Sequence, residues 1–382
     1  MPLDPASLFG RLPAPAPAIA GLLIFGAVAL PAAAAPPGRV LTDAEWIADL
    51  DQVTASIHEV HPDPFHQMDA SDEASAERRA ELAAAVVELR ETIPRLSDRE
   101  IVVRLSQLVA RLDDGHSRLF LPHQHRDLAP ALEAGHSGTE PPAHEELALA
   151  QLPTRFGLFS DGLFVISAAT GYGDLVGLRV VRVGETAVEE ALELASATIA
   201  AGNDSRRRIL LPDRMALPEV LAAVGIIPSA SETELLFEDA AGEERRVTLA
   251  PLPDGPVSWS GGPRTTPLWL RDPRDPKWYE VLSDRSAIFV QVNELEAFPE
   301  RPWADFVRET LEAARAAGVE RYVLDLRHNA GGDGTWVTPF LTGLVGTEFD
   351  RYGRLMVLIG GHTFSAAQTL VNRLEKMTEA CF

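Results

Sequence analysis

Leu355–Leu370, reading LMVLIGGHTFSAAQTL, places a serine where a hydroxyl can serve as a nucleophile. An apolar run is followed by a Gly-Gly turn, and Ser365 opens a helical stretch. A serine at such a junction lies at the positive end of a helix dipole. It also neighbours backbone N–H groups that have no acceptor within the helix, and both features favour an oxyanion forming on a substrate carbonyl. The alternative reading is that Thr363 or Ser365 simply caps the helix.

Two other segments carry groups that could complete such a site. Arg321–Leu326 (RYVLDL) reads as a buried strand running into Arg327–Gly334 (RHNAGGDG). Adjacent glycines let a backbone pass close to a ligand and turn its amides toward an anion. The loop has neither the GxxxxGK[ST] order of a P-loop nor the GxGxxG of a dinucleotide site, which disfavours phosphate binding. Further upstream, Leu112–Ser117 (LDDGHS) is a polar turn after a helical stretch, and His116 in it could act as a general base. A surface histidine is the alternative there.

Together these segments resemble the S41 serine peptidases, the family of C-terminal processing peptidases and the tricorn core. Asp113–Ser117 is similar to that family's DGH(T/S) turn, Asp325–Gly334 to its DLR-x-N-x-GG loop, and Thr363–Gln368 to its T-x-SAA(E/Q) nucleophile turn. Their order and wide separation match as well, and the resemblance extends over most of the chain after residue 40. It implies peptide or protein substrates and a crotonase-like α/β core.

One branch of that family uses a Ser–Lys dyad and the tricorn-like branch uses histidine. The only lysines are Lys277 and Lys376. Lys376 lies on what reads as the helix opened by Ser365, ~16 Å along the axis at ~1.5 Å per residue, too far to be the base. Lys277 sits in a Pro/Asp-rich connector. The tricorn-like branch is therefore the better match, and it implies Ser365 as nucleophile and His116 as base. Ser117 or a later acidic residue would orient the imidazole, and the amides of Gly331, Gly332 and Ala366 would hold the oxyanion. His328 and His362 flank these loops and rank below His116 as bases. The supporting glutamate of the family falls beyond Phe382, so the core is expected to be truncated at the C-terminus.

Composition sets wider bounds. The chain has 382 residues, 46% of them hydrophobic, and a formal net charge of −22, which argues against nucleic acid or anionic membrane surfaces as partners. Arg11, the apolar run Ala18–Leu30 and the small residues Ala32–Ala35 read as an export signal, giving a periplasmic or extracellular protein. That run is shorter than the ~20 apolar residues of a membrane-spanning helix, so no stable span is expected. Cys381 is the only cysteine, so no intrachain disulfide can form. His58-Glu59-Val60-His61 lacks the spacing of HExxH, and neither a metal nor a cofactor is expected.

The expected organisation is a signal peptide (1–35), a helical N-terminal region carrying the His turn (36–122), a connector (123–151), a PDZ-like module (152–255), a linker (256–277) and an α/β serine peptidase core (278–382). Capping signals at Thr42–Glu45 and Ser97–Glu100 mark helix starts in the N-terminal region. The middle module should add an extended peptide to a sheet edge, although residues 206–215 read as an insertion that departs from a compact PDZ pattern. An exported serine endopeptidase is thus the leading function. A catalytically silent peptide binder and an esterase are the alternatives.

Overall fold

Thr42 and Ser97 are each followed three residues later by a glutamate, and both pairs form capping boxes. They start α1 (Asp43–Val60) and α3 (Asp98–Ala110), between which lies α2 (Asp72–Thr92), capped by Ser71. The buried carboxylate of Asp98 accepts from the Trp46 indole at 2.5 Å and from Arg39 at 3.2 Å, tying α1 and the chain before it to α3. Leu50, Ile101, Val103 and Leu108 then form an apolar cluster with Leu149, Leu217 and Val220 from later in the chain. The computed structural model describes residues 39–61, 64–65, 71–122, 147–262 and 265–382. The expected export signal and residues 123–146 of the expected connector lie outside them. Residues 147–151 of that connector are packed: Leu149 is buried, and the Ala150 N–H donates to the buried Glu219 carboxylate at 3.1 Å.

The middle module is an antiparallel sheet with three helices. Its elements are β1 (Thr154–Phe159), β2 (Gly162–Ala169), β3 (Arg179–Val183), β4 (Thr186–Ala187), α4 (Val188–Ser196), α5 (Asp204–Met215), α6 (Pro218–Ala223), β5 (Thr233–Glu238), β6 (Glu244–Leu249) and β7 (Trp259–Gly261). The strand order is β1-β2-β3-β5-β6, with β4 on β3 and β7 on β2. Two segments carry more regular structure than expected. Residues 206–215, read as an insertion, are helical, and Leu210, Leu211 and Met215 of α5 enter the module's core. The expected linker 256–277 contains β7, in register with β2 at Ala169↔Trp259 and Ser167↔Gly261. Gly261 fits there because a Cβ would lie 2.7 Å from the Ile166 carbonyl oxygen. Helix α5 runs alongside β1, with Arg208 donating to the Phe159 carbonyl at 3.0 Å and the Leu152 N–H to the Ala216 carbonyl at 2.9 Å.

The last unit comprises β8 (Lys277–Leu282), β9 (Ala287–Val292), α7 (Trp303–Ala316), β10 (Arg321–Asp325), α8 (Val337–Leu344), β11 (Leu355–Leu358) and α9 (Ala366–Met377). Strands β9, β10 and β11 are parallel, and β8 closes the sheet antiparallel to β9. Every residue of β9 is buried, as expected of a strand covered on both faces. Phe306, Leu311, Phe340, Leu344 and Leu370 from the helices pack with Ile288, Val290, Leu324 and Val357 from the strands. The whole is a mixed α/β protein. The loops leaving the carboxyl ends of β10 and β11 lie side by side, the place where open α/β sheets hold their ligands. No described helix is long and apolar enough to cross a membrane.

Candidate active site

The turn after β11 is held to the loop after β10 by its own side chains and backbone. Thr363 Oγ1 donates to the Leu326 carbonyl at 2.8 Å and accepts from the Gly360 N–H at 3.0 Å. The Phe364 N–H donates to the Asn329 carbonyl at 3.0 Å. These bonds carry the chain into Ser365 at φ 52°, ψ −121°, a conformation that a residue with a Cβ adopts only when its surroundings impose it. The Ser365 side chain makes no capping bond to α9, so the helix-cap reading of this residue is set aside.

Ser365 Oγ instead meets His116, whose Nε2 lies 3.0 Å away. The histidine comes from the turn after α3, where Asp113 takes φ 45° and the Ser117 N–H donates to the Asp114 carbonyl at 3.0 Å. Gly115 is needed in that turn: a Cβ would lie 2.9 Å from the Ala201 carbonyl oxygen and 3.0 Å from the Phe364 ring. The imidazole also packs on Phe364, with ring centroids 4.6 Å apart.

Asp114 faces the other side of the imidazole, a role the sequence reading did not assign. Its Oδ1 lies 3.8 Å from His116 Nδ1 and accepts from the His116 N–H at 3.1 Å, while its Oδ2 accepts from Ser117 Oγ at 2.8 Å. The Nδ1 separation is electrostatic contact rather than a hydrogen bond. Burial alone would raise the Asp114 carboxyl. The bonds from the His116 N–H and Ser117 Oγ, with the charges of His116 and His61, outweigh that and hold it below the ordinary carboxylate value. Of the two orienting groups the sequence offered, Ser117 bonds the Asp114 carboxylate rather than the imidazole. The available signal was position: Asp114 stands two residues before the histidine in the same tight turn.

The glycine loop lies against Ser365. A Cβ on Gly331 would come within 2.7 Å of Ser365 Cβ, and one on Gly332 within 2.2 Å of the Leu295 carbonyl oxygen. Both glycines have positive φ, at 111° and 125°. The Gly331 N–H, expected to face an oxyanion, donates to Asn329 Oδ1 at 2.9 Å and is committed there. Asn329 is fully buried and also donates through Nδ2 to the Val292 carbonyl at 3.1 Å, so it braces the loop against β9. The Leu295 N–H bonds the Gly331 carbonyl, and the Asp333 N–H bonds the Leu295 carbonyl. The Gly332 N–H takes no part in that bridge. With the Ala366 N–H in the first turn of α9, it is the remaining candidate oxyanion donor.

The other candidate groups sit elsewhere. His328 stacks on Trp269 and its Nε2 contacts the Trp269 carbonyl at 3.1 Å; burial lowers its pKa. The pKa of His362 is pushed down to about 3 by burial, then by the charges of Arg206 and His328. Both are poor proton acceptors. Lys277 begins β8 with its ammonium 4.0 Å from the Trp303 ring and donating to the Arg301 carbonyl, and Lys376 lies in the last turn of α9. His61 Nε2 lies 3.7 Å from Asp114 Oδ2, so one histidine of the 58–61 segment borders the site. Among the described residues no three metal-ligating side chains cluster.

No protein-family model matches the chain, and a search of curated proteins returns no match. Solved structures similar to it include mature CPAF, at 13% identity over 88% of this chain and 82% of that one, with a TM-score of 0.49. Mature CPAF complexed with lactacystin is 12% identical over 81% of this chain with a TM-score of 0.45, and this chain spans 60% of its length. The photosystem II D1 C-terminal processing protease is 16% identical over 89% of this chain and 80% of that one, with a TM-score of 0.32.

Proposed function

We propose that this chain is a serine peptidase of the S41 type that hydrolyses peptide bonds through Ser365 and His116. The observation that carries the reading is the 3.0 Å contact between His116 Nε2 and Ser365 Oγ, made by a serine in a strained turn at a helix start. A nucleophile and base within hydrogen-bond reach, with an acidic group behind the base, is the arrangement that activates a serine hydroxyl. In this reading β8 to α9 form a crotonase-like core and the middle module is PDZ-like. Residues 1–35 direct export to the periplasm or outside the cell.

The steps follow from the geometry. Ser365 Oγ attacks the substrate carbonyl carbon as His116 Nε2 takes its proton. The Asp114 carboxylate stabilises the imidazolium that results. The carbonyl oxygen becomes an oxyanion and takes hydrogen bonds from the Gly332 and Ala366 amides. Collapse of the tetrahedral intermediate breaks the C–N bond, and His116 returns the proton to the leaving amine. Water then hydrolyses the acyl-enzyme, with His116 again as base and Ser365 restored.

Purified protein and the Ser365→Ala and His116→Ala variants should be assayed on an internally quenched peptide and on a p-nitrophenyl ester. The proposal expects peptide cleavage by the parent alone. Ester hydrolysis without peptide cleavage would make the protein an esterase, and peptide binding without turnover would make it a silent binder.

A further inference from the structure

The middle module reaches into the site, and it does so through the start of α5. The residues around that start contact both catalytic turns. On the histidine side, Arg207 donates to Asp113 Oδ1 at 2.9 Å, the Gly202 N–H lies 3.3 Å from the same oxygen, and the Ala201 carbonyl lies against Gly115. On the serine side, the Arg206 guanidinium lies 4.7 Å from the centre of the Phe364 ring, and Ile209 fills the space beside Gly361, where a Cβ would meet it at 2.4 Å. Asn203 fixes the direction of this segment, its Oδ1 capping α5 by accepting from the Arg206 N–H at 2.9 Å.

His116 and Ser365 belong to different elements, and among the described residues theirs is the one hydrogen bond between residues 113–117 and 360–365. The turns also meet through the Phe364 ring, which packs on His116 and Gly115, and both touch one short segment of the middle module. We propose that residues 201–209 form a clamp in which Arg207 holds the histidine turn and Arg206 and Ile209 hold the serine turn, so that the middle module sets the His116–Ser365 distance. These are positioning residues, since they act through Asp113 and Phe364 rather than on the reacting atoms. The inference rests on the serine hydrolase reading for its effect on activity, but not for its effect on geometry. It gives the middle module a function in the site itself. Misplacing a reacting group by about an ångström can cost on the order of a hundredfold in rate.

The test uses the full chain and two readouts. The first is the rate at which a fluorophosphonate probe labels Ser365 in the parent, Arg207→Ala, Asp113→Ala, the double variant, Arg207→Lys, and Arg308→Ala as a surface control on α7. The second is the His116 Hε1 chemical shift in the same proteins, with thermal midpoints measured alongside. The clamp predicts a drop of tenfold or more in labelling for Arg207→Ala at an unchanged midpoint. It also predicts no further loss in the double variant, partial rescue by lysine, and a His116 shift displaced in Arg207→Ala but not in Arg308→Ala. Parent-like labelling and an unmoved His116 resonance in Arg207→Ala would overturn it. A parent that does not label would count against the hydrolase reading. The His116 resonance would then decide the clamp by itself.

Discussion

His116 Nε2 and Ser365 Oγ stand 3.0 Å apart although 249 positions of chain separate them. The contact joins the end of the N-terminal helices to the start of the last helix. It requires glycine in the His116 turn and in the loop after β10, because Gly115 and Gly331 each occupy a space that a side chain would fill.

In the proposed mechanism, replacing His116 should remove proton transfer and leave the rest of the site in place. His116→Ala should lower kcat on a peptide substrate by about 10²- to 10⁴-fold, the usual contribution of a positioned general base. The His116 ring is largely exposed, so the thermal midpoint should hardly move. Steady-state kinetics and calorimetry on the same sample check both halves.

Asp114 is held below its ordinary pKa, which is 3.8, and that fixes the sign of its contribution to stability. A depressed carboxyl stabilises the fold above the unfolded value, and the contribution fades as pH falls through the folded one. Asp114→Asn should be less stable than the parent at pH 7, and the gap should close as pH drops below about 4. Its kcat should also fall, because the imidazolium loses its counter-charge. Urea titrations across pH show whether the two curves converge.

His362 behaves in the opposite chemical sense with the same pH direction. It stays neutral in the fold down to about pH 3, whereas the unfolded chain protonates it near its ordinary 6.5. Between those values the unfolded state binds more protons, so stability must fall as pH falls. His328, shifted the same way by burial, adds to the effect. His362→Gln should flatten the loss between pH 7 and pH 5, measured by chemical denaturation.

Gly331→Ala tests how closely the loop is built against the nucleophile. Its φ of 111° is strained for alanine, and the added Cβ would stand 2.7 Å from Ser365 Cβ and 3.0 Å from the Phe364 carbonyl oxygen. A destabilisation of about 1–3 kcal/mol is expected, with loss of activity greater than the unfolded fraction explains. Peptide cleavage by the still-folded fraction is the measurement.

Much of this site was legible because its residues are local: the strand–turn–helix around Ser365, the His116 turn and the Gly331-Gly332 pair each show in a few consecutive letters. Asp114 lies in the His116 turn itself, whereas the family resemblance points to an acid after the serine. The fate of the Gly331 N–H depends on which way the Asn329 side chain points, and no pattern of types reveals that. Helix α5 was hidden by Pro212 and by the run Arg206–Arg208, which breaks the apolar period; two of those arginines contact the His116 and Ser365 turns. The short strand β7 lay in a Pro- and Gly-rich stretch whose pairing with β2 is entirely non-local. Lys277, read as part of a Pro/Asp-rich connector, instead begins strand β8.

The most direct test of the central claim is covalent. Purified protein incubated with a fluorophosphonate at pH 7.5 and digested for mass spectrometry should carry one adduct, on Ser365. His116→Ala should slow its formation by at least tenfold, and Ser365→Ala should abolish it. A folded protein that stays unlabelled, or whose label falls on another serine, would contradict the account.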